Sequence, residues 1–120
     1  MGYKFINTEY LDSVSGGDPE IICEIVDLFK EQSAEIYQEM RNLYKSASYT
    51  SLGLLAHKAK SSVAIMGMND LAIMLKTFEL QTREEKDINL YESYIERFGY
   101  ETGEAVKELE DLVSKHLTRN

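Results

Sequence analysis

The sequence predicts an all-α fold, an antiparallel up-and-down four-helix bundle with a short additional N-terminal helix. Three observations predict it. Punctuation is sparse, with one proline in 120 residues, so long helices with short connections are expected. Apolar residues recur at three- and four-residue steps, and no segment shows the two-residue alternation of a strand. Helices that each carry one apolar stripe, joined by connections of a few residues, pack as antiparallel neighbours around a shared core. A chain of this length buries a core without disulfide or metal staples, so residues 1–120 are read as one domain.

The elements follow in order. A short first helix is expected over about Thr8 to Val14. The stretch 15-SGGDPE-20 then stops it with two glycines and starts the next helix, with Asp18 as N-cap, Pro19 at the first helical position and Glu20 at the positive end of the dipole. Ile22, Ile25, Val26, Phe29, Ile36, Met40 and Leu43 form a stripe running to about Tyr44. Ser48 is the next N-cap, opening a helix that ends at Gly67, a residue suited to a left-handed C-terminus. Asn69 caps a helix with the stripe Leu71, Met74, Leu75 and Phe78, ending near Glu84. After the polar turn 84-EEKD-87, Asp87 caps a last long helix carrying Leu90, Tyr91, Tyr94, Ile95 and Phe98. Gly99 and Gly103 are expected to bend or loosen it before Val106, Leu109, Leu112, Val113 and Leu117 resume the stripe, since an interior glycine costs about 1 kcal/mol relative to alanine.

Charge and composition narrow the function classes. Twenty-one acidic against thirteen basic residues give a net charge of −8, which opposes phosphate backbones and anionic lipid. Neither nucleic acid nor membrane is expected as a partner. The single Cys23 forms no internal disulfide and falls in an apolar helical pattern, which fits a reducing cytosol. No apolar run reaches the length of a membrane span, and 1-MGYKFINTEY-10 lacks the regions of a signal peptide. A soluble, cytoplasmic monomer is expected.

The segment 52-LGLLAHKAKSSVAIMG-67 sets a histidine among leucines and lysines. On a helical wheel of about 100° per residue, Leu52, Leu55, Ala56, Ala59, Ser62, Val63 and Met66 fall roughly 140° to 260° away from His57. Thr50, Gly53, Lys60, Ser61, Ala64 and Met68 lie nearer its own direction. His57 is therefore expected to be exposed, on a face of mostly small residues. A neutral imidazole is a good nucleophile near pH 7, given a reference pKa of about 6.5. Lys60, one turn along, would favour a dianionic phosphoryl group attached to the ring, and small neighbours would admit a large partner for in-line transfer. An exposed histidine beside a lysine is also ordinary on helix surfaces, so the residues alone leave both readings open.

The stretch 56-AHKAKSS-62, followed by 65-IMG-67 and 71-LAIMLKTFE-79, resembles the signature of histidine-containing phosphotransfer (HPt) domains. Their pattern is Ala-His-x-x-Lys-Gly-Ser, a glycine about ten residues after the histidine, and a hydrophobic-Glu pair at the end of the next stripe. Upstream, 11-LDSVSGGDPEIICEIVDLF-29 resembles the family's first helix pair, joined by a Gly-Gly-Asp-Pro-type turn. The ordered set, inside an all-helical reading reached independently, is more specific than any one element.

The resemblance implies that His57 is the phosphoacceptor and that Lys60 helps hold the phosphoryl group. Ser61 stands where the family commonly has glycine, and Ala64 matches a small residue that keeps the docking surface open. Glu79, twenty-two residues after His57, stands where some members place a glutamine near the imidazole; as a carboxylate it would either orient the ring or repel the phosphoryl group. Lys58 is a flanking surface charge. The implied function is a phosphorelay intermediate: His57 takes a phosphoryl group from a receiver-domain phospho-aspartate and passes it to another receiver aspartate. The chain is then a phosphocarrier and not a kinase, and nothing in it resembles a nucleotide-binding loop. No cofactor is implied, since the magnesium is expected on the receiver. Partner docking is expected to use exposed apolar residues around the histidine, namely Ile6 and Tyr10 on the short helix, Leu54, Met68 and Ile65, with Gly53 as clearance.

Other features carry plainer readings. His116 sits in the last helical turn, where a cation suits the dipole. Two histidines about sixty residues apart give no metal-ligand spacing. The eight tyrosines are read as core-edge residues, and 35-EIYQE-39 and 101-ETGEAVKELED-111 as solvated faces. Two alternatives remain: a helical adaptor that docks receivers without carrying phosphate, against which His57 and Lys60 argue, and a bundle with no signalling role. Met1 and the closing helix favour a free-standing protein over a piece of a hybrid kinase.

Overall fold

A computed structural model describes residues 3–117, with side chains over 3–115. Met1 and the side chains of His116 and Leu117 lie outside the described residues. Five α-helices follow one another: α1 Glu9–Ser15, α2 Pro19–Lys45, α3 Tyr49–Ile65, α4 Asn69–Glu84 and α5 Tyr91–Leu117, with a 3-10 turn at Ile88–Leu90 before α5. Among the described residues there is no strand. Helix α3 packs on α4 and α2 on α5, while α2–α3 and α4–α5 contacts close the ring, and α1 lies against α2. The result is the four-helix bundle that the apolar stripes require, with extents of 52 × 21 × 21 Å.

The sequence explains where the helices begin. Asp18 caps α2 by accepting the Glu20 N–H at 2.9 Å, with Pro19 behind it in the first turn, so two signals fix one helix start. Gly16, Gly17 and Gly67 have positive φ. At Gly67 the left-handed turn lets Met68 N–H reach Val63 O at 3.1 Å, closing the end of α3. The core runs through Phe29, Met40, Leu52, Val63, Leu75, Phe78, Tyr91, Phe98 and Leu109, all buried. Buried Thr82 and Thr102 satisfy their hydroxyls on Glu79 O and Phe98 O, each at 2.7 Å, so these two hydroxyls enter the core with their bonds met.

Several expectations are corrected. Met68, not Asn69, holds the N-cap position of α4, because the tight turn at Gly67 brings the chain into helix one residue earlier. Ser48 stands at the α3 N-cap, but its hydroxyl pairs with that of Ser46 at 2.8 Å and caps no backbone N–H. Asp87 precedes the 3-10 turn rather than α5 and makes no side-chain cap bond. Leu90 ends that turn and is exposed, since the 3-10 phase carries it off the α5 stripe. Helix α5 runs through Gly99 and Gly103 without a break. At Gly99 the missing Cβ admits the Tyr37 ring of α2, so this glycine serves close helix packing.

The N-terminal segment brings a larger correction. Residues 3–7 cross one end of the bundle, and Ile6 precedes α1 and is buried. Glu108 of α5, read from sequence as part of a solvated face, accepts backbone N–H groups of Lys4, Phe5 and Ile6 at 3.0, 2.9 and 3.1 Å. Asn7 N–H then donates to Met66 O at 2.9 Å. A charged acceptor thereby satisfies three consecutive donors that have no secondary structure to serve them.

Candidate functional site

The site is built on the facing sides of α3 and α4. Helix α3 contains no acidic residue, and its Leu52, Leu55, Ala56, Ala59 and Val63 are buried, so the opposite side of the helix turns to solvent. His57 stands there with its side chain 57% exposed. Gly53 lies one turn before it, buried and against α4, where an added Cβ would overlap the Thr82 side chain. The role expected of Gly53, clearance for a partner, is therefore corrected: its missing side chain makes room for α4. Thr82 in turn folds its hydroxyl onto Glu79 O. This close approach sets the distance between the helices one turn along, where His57 faces Glu79.

That facing pair is the centre of the site. His57 Nδ1 lies 3.1 Å from Glu79 Oε1, and Arg83 Nη2 donates to Glu79 Oε2 at 2.6 Å. The Glu79 side chain is 3% exposed, yet both of its oxygens are engaged, as a buried carboxylate requires. Burial by itself pushes its carboxyl up, but the hydrogen bond and charge of His57, with the charges of Arg83 and Lys76, hold it below its ordinary 4.5. An ionised carboxylate only accepts, so Nδ1–H donates to it. In the neutral ring the lone pair is then on Nε2.

Around the ring, Ser61 and Ala64 are exposed and Lys60 is half-buried, within about 20° in helix phase of Gly53, which meets α4. Thr50, Gly53, Leu54, Glu79, Thr82 and Arg83 line a hollow of about 210 Å³ beside His57. A larger cleft of about 400 Å³ opens at the α3–α4 turn against Lys4 and Phe5, and neither His57 nor Lys60 lines it. Of the expected docking residues, Leu54, Ile65 and Tyr10 are exposed, Leu54 at 68%. Ile6 and Met68 are buried in the core, one drawn in by the strap on Glu108 and the other by the turn at Gly67, and neither reaches the surface. Sequence reasoning passed over Ile73 and Leu80, which are exposed on α4. Their signal was apolar character off the Leu71–Met74–Leu75–Phe78 stripe. Arg83 was passed over too, although it stands four residues after Glu79, the spacing of a helical ion pair. Among the described residues no group of three or more His, Cys, Asp or Glu could hold a metal ion, and no helix is long and apolar enough to cross a membrane.

Fold and site together define a helical bundle that carries a solvent-facing histidine bonded to a buried carboxylate. The family model described as Hpt domain matches residues 24–115, and the chain belongs to the Hpt domain family. Domains of this family are phosphocarriers of two-component systems and interact with receiver domains of response regulators. The matched span starts inside α2, so the Gly-Gly-Asp-Pro turn precedes it. Comparison with curated proteins and with solved structures gives no significant match.

Proposed function

We propose that the chain is a phosphorelay intermediate in which His57 carries the phosphoryl group. The observation that supports this most is the engagement of Nδ1 by Glu79 at 3.1 Å on a ring that is more than half exposed. With Nδ1 holding the proton, Nε2 attacks the phosphorus of a receiver phospho-aspartate. The Nε2–P bond forms, the P–O bond breaks, and the aspartate leaves as a carboxylate. The ring keeps its Nδ1 proton and becomes a phosphoimidazolium, whose positive charge Glu79 stabilises. In the onward step a second receiver's aspartate attacks phosphorus, and the ring leaves as neutral imidazole with no proton to find.

In this reading Lys60 holds phosphoryl oxygens, and Ser61 and Ala64 keep the approach low. Magnesium belongs to the receiver. Leu54, Ile65 and Tyr10, joined by Ile73 and Leu80 of α4, supply the apolar docking contacts. The chain works as a cytoplasmic monomer and a single domain.

The test is to incubate the protein with a phosphorylated receiver and look for acid-labile, alkali-stable label on the chain. Label is expected on the wild type and absent from His57→Gln. Label that survives the substitution overturns the assignment. Unlabelled wild type that still binds the receiver would make the chain a docking adaptor.

A further inference from the structure

The cations of this acidic chain are distributed unevenly. Seven of the described lysines and arginines are within 4.0 Å of a carboxylate. Lys4, Lys45, Lys58, Lys60 and Lys76 are not among them; of these only Lys58, Lys60 and Lys76 stand on α3 or α4, and α3 offers no acidic side chain to pair with them. Lys60 already has a place in the proposed carrier site; Lys76 does not.

The helix register places Lys76. Helices α3 and α4 run antiparallel, with Gly53 against Thr82 and His57 against Glu79. Moving forward along α3 is therefore moving back along α4. Three residues on from His57 is Lys60, and three residues back from Glu79 is Lys76. Both stand one turn from the imidazole toward the α3–α4 connection: Lys60, half-buried, is about 20° in helix phase from Gly53, which meets α4, and Lys76, exposed, is about 60° from Glu79. The charge of Lys76 is also felt by Glu79, which places it within electrostatic reach of the ring's partner.

We propose that Lys76 is a second cation for the phosphoryl group, facing Lys60 across the α3–α4 groove, so that lysines from two helices hold the group on His57. This rests on the phosphocarrier reading of His57. Glu79 is paired with Arg83 at 2.6 Å, so its charge is not available to either lysine. The dianionic phosphoryl group presents three oxygens outside the ring, more than one ammonium group engages, and a second lysine on the facing helix adds charge-assisted contacts that favour its dianionic form.

The test uses phosphoramidate, a small-molecule donor that phosphorylates histidine without a receiver. The bound phosphoryl group is titrated by phosphorus NMR in the wild type, Lys76→Met and Lys58→Met, with His57→Gln marking the signal that belongs to His57. Lys58→Met removes the same charge from the exposed surface of α3, next in sequence to His57, but about 100° round the helix from it, away from Lys60. Removing Lys76 is expected to raise the second phosphoryl pKa by about 0.2 to 0.7 of a unit and shorten phosphohistidine lifetime roughly two- to fivefold, the scale of one exposed charge contact. Lys58→Met is expected to move both much less. A wild type with no His57 signal defeats the carrier reading and this proposal together. A labelled wild type whose titration Lys76→Met leaves unchanged, or Lys58→Met shifts as much, defeats the Lys76 proposal and leaves the carrier reading standing.

Discussion

His57 Nδ1 stands 3.1 Å from Glu79 Oε1, and Arg83 holds the other oxygen of the same carboxylate at 2.6 Å. One buried acid therefore fixes a surface imidazole from below. The arrangement orients the ring and decides which nitrogen carries the proton, and in the proposed transfer it would offset the positive charge that develops on the ring. Replacing Glu79 separates these effects. Glu79→Gln keeps an acceptor but loses the charge and the Arg83 pair, whereas Glu79→Leu removes everything. Phosphoryl uptake from a receiver is expected to fall a few-fold in the first and on the order of ten- to a hundredfold in the second, the scale on which metal-ligating histidines respond to loss of the group that orients them. Nitrogen NMR of the ring gives an independent reading: the Nδ1–H tautomer is expected in the wild type and lost in Glu79→Leu. A Glu79→Leu protein with wild-type uptake would remove Glu79 from the mechanism.

The same carboxylate links stability to pH. Burial pushes Glu79 up, but His57, Arg83 and Lys76 outweigh it and leave the folded value below the ordinary 4.5. The folded protein then binds fewer protons at this site than the unfolded chain, so stability from Glu79 rises with pH across that window. It is fully present above about 4.5 and is lost as pH falls through the lower folded value. Denaturant unfolding of the wild type and Glu79→Gln should show a stability gap at pH 7 that narrows below pH 4.5. A gap that stays constant or widens in acid would contradict the assigned direction.

The bundle was legible because its instructions are local. The 15-SGGDPE-20 signal, the stripe Ile22–Val26–Phe29–Ile36–Met40 and the glycine at 67 each act within a few residues of themselves, and the helices form where those signals lie. The exposure of His57 followed from the same periodicity. What escaped depends on partners distant in sequence. Nothing around Gly53 announces that Thr82 will fill its missing side chain, and nothing around Glu108 announces three N–H groups about a hundred residues away. The wheel grouped Gly53 with the exposed side because a wheel contains one helix, while its burial is decided by a second. Ile6 and Met68 were misjudged for the same reason, since their burial belongs to the crossing strap and the Gly67 turn. Contact between Glu79 and the imidazole was legible only through family resemblance.

Gly53 makes a prediction against the usual rule. An interior helical glycine normally gains about 1 kcal/mol of stability on change to alanine. Here the added methyl would overlap the Thr82 side chain, so Gly53→Ala is expected to destabilise, and Gly53→Val to cost about 1 to 3 kcal/mol through overpacking. In a Thr82→Ala background the cost of Gly53→Ala should shrink, because the atoms it meets are gone, and the double-mutant cycle measures that coupling. Separation of α3 from α4 should also weaken the His57–Glu79 bond and reduce phosphoryl uptake. A stabilised Gly53→Ala protein would show that the helices do not meet at this point.

Glu108 carries the last prediction. Its carboxylate gathers the N–H groups of Lys4, Phe5 and Ile6, and the same strap places Ile6 in the core and brings Asn7 N–H to the end of α3. Tyr3 adds a hydrogen bond to Asp111 at 3.0 Å on the same helix. Glu108→Ala removes the shared acceptor and leaves three donors to water, at an expected cost of about 1 to 3 kcal/mol. The loss should be local first, because the strap crosses an end of the bundle and adds only Ile6 and parts of Tyr3 and Phe5 to a core otherwise built by α1 to α5 and the turns between them. Hydrogen exchange at the amides of Phe5, Ile6 and Asn7 is therefore expected to accelerate by ten- to a hundredfold, about 1.4 to 2.8 kcal/mol of local protection, with amides at Leu52, Ala59 and Leu75 changing far less. Glu108→Gln, which still offers one carbonyl oxygen, should fall between. Equal acceleration at core and strap would mean that Glu108 supports the whole bundle, and unchanged exchange at Phe5 and Ile6 would mean that the carboxylate does not hold the segment.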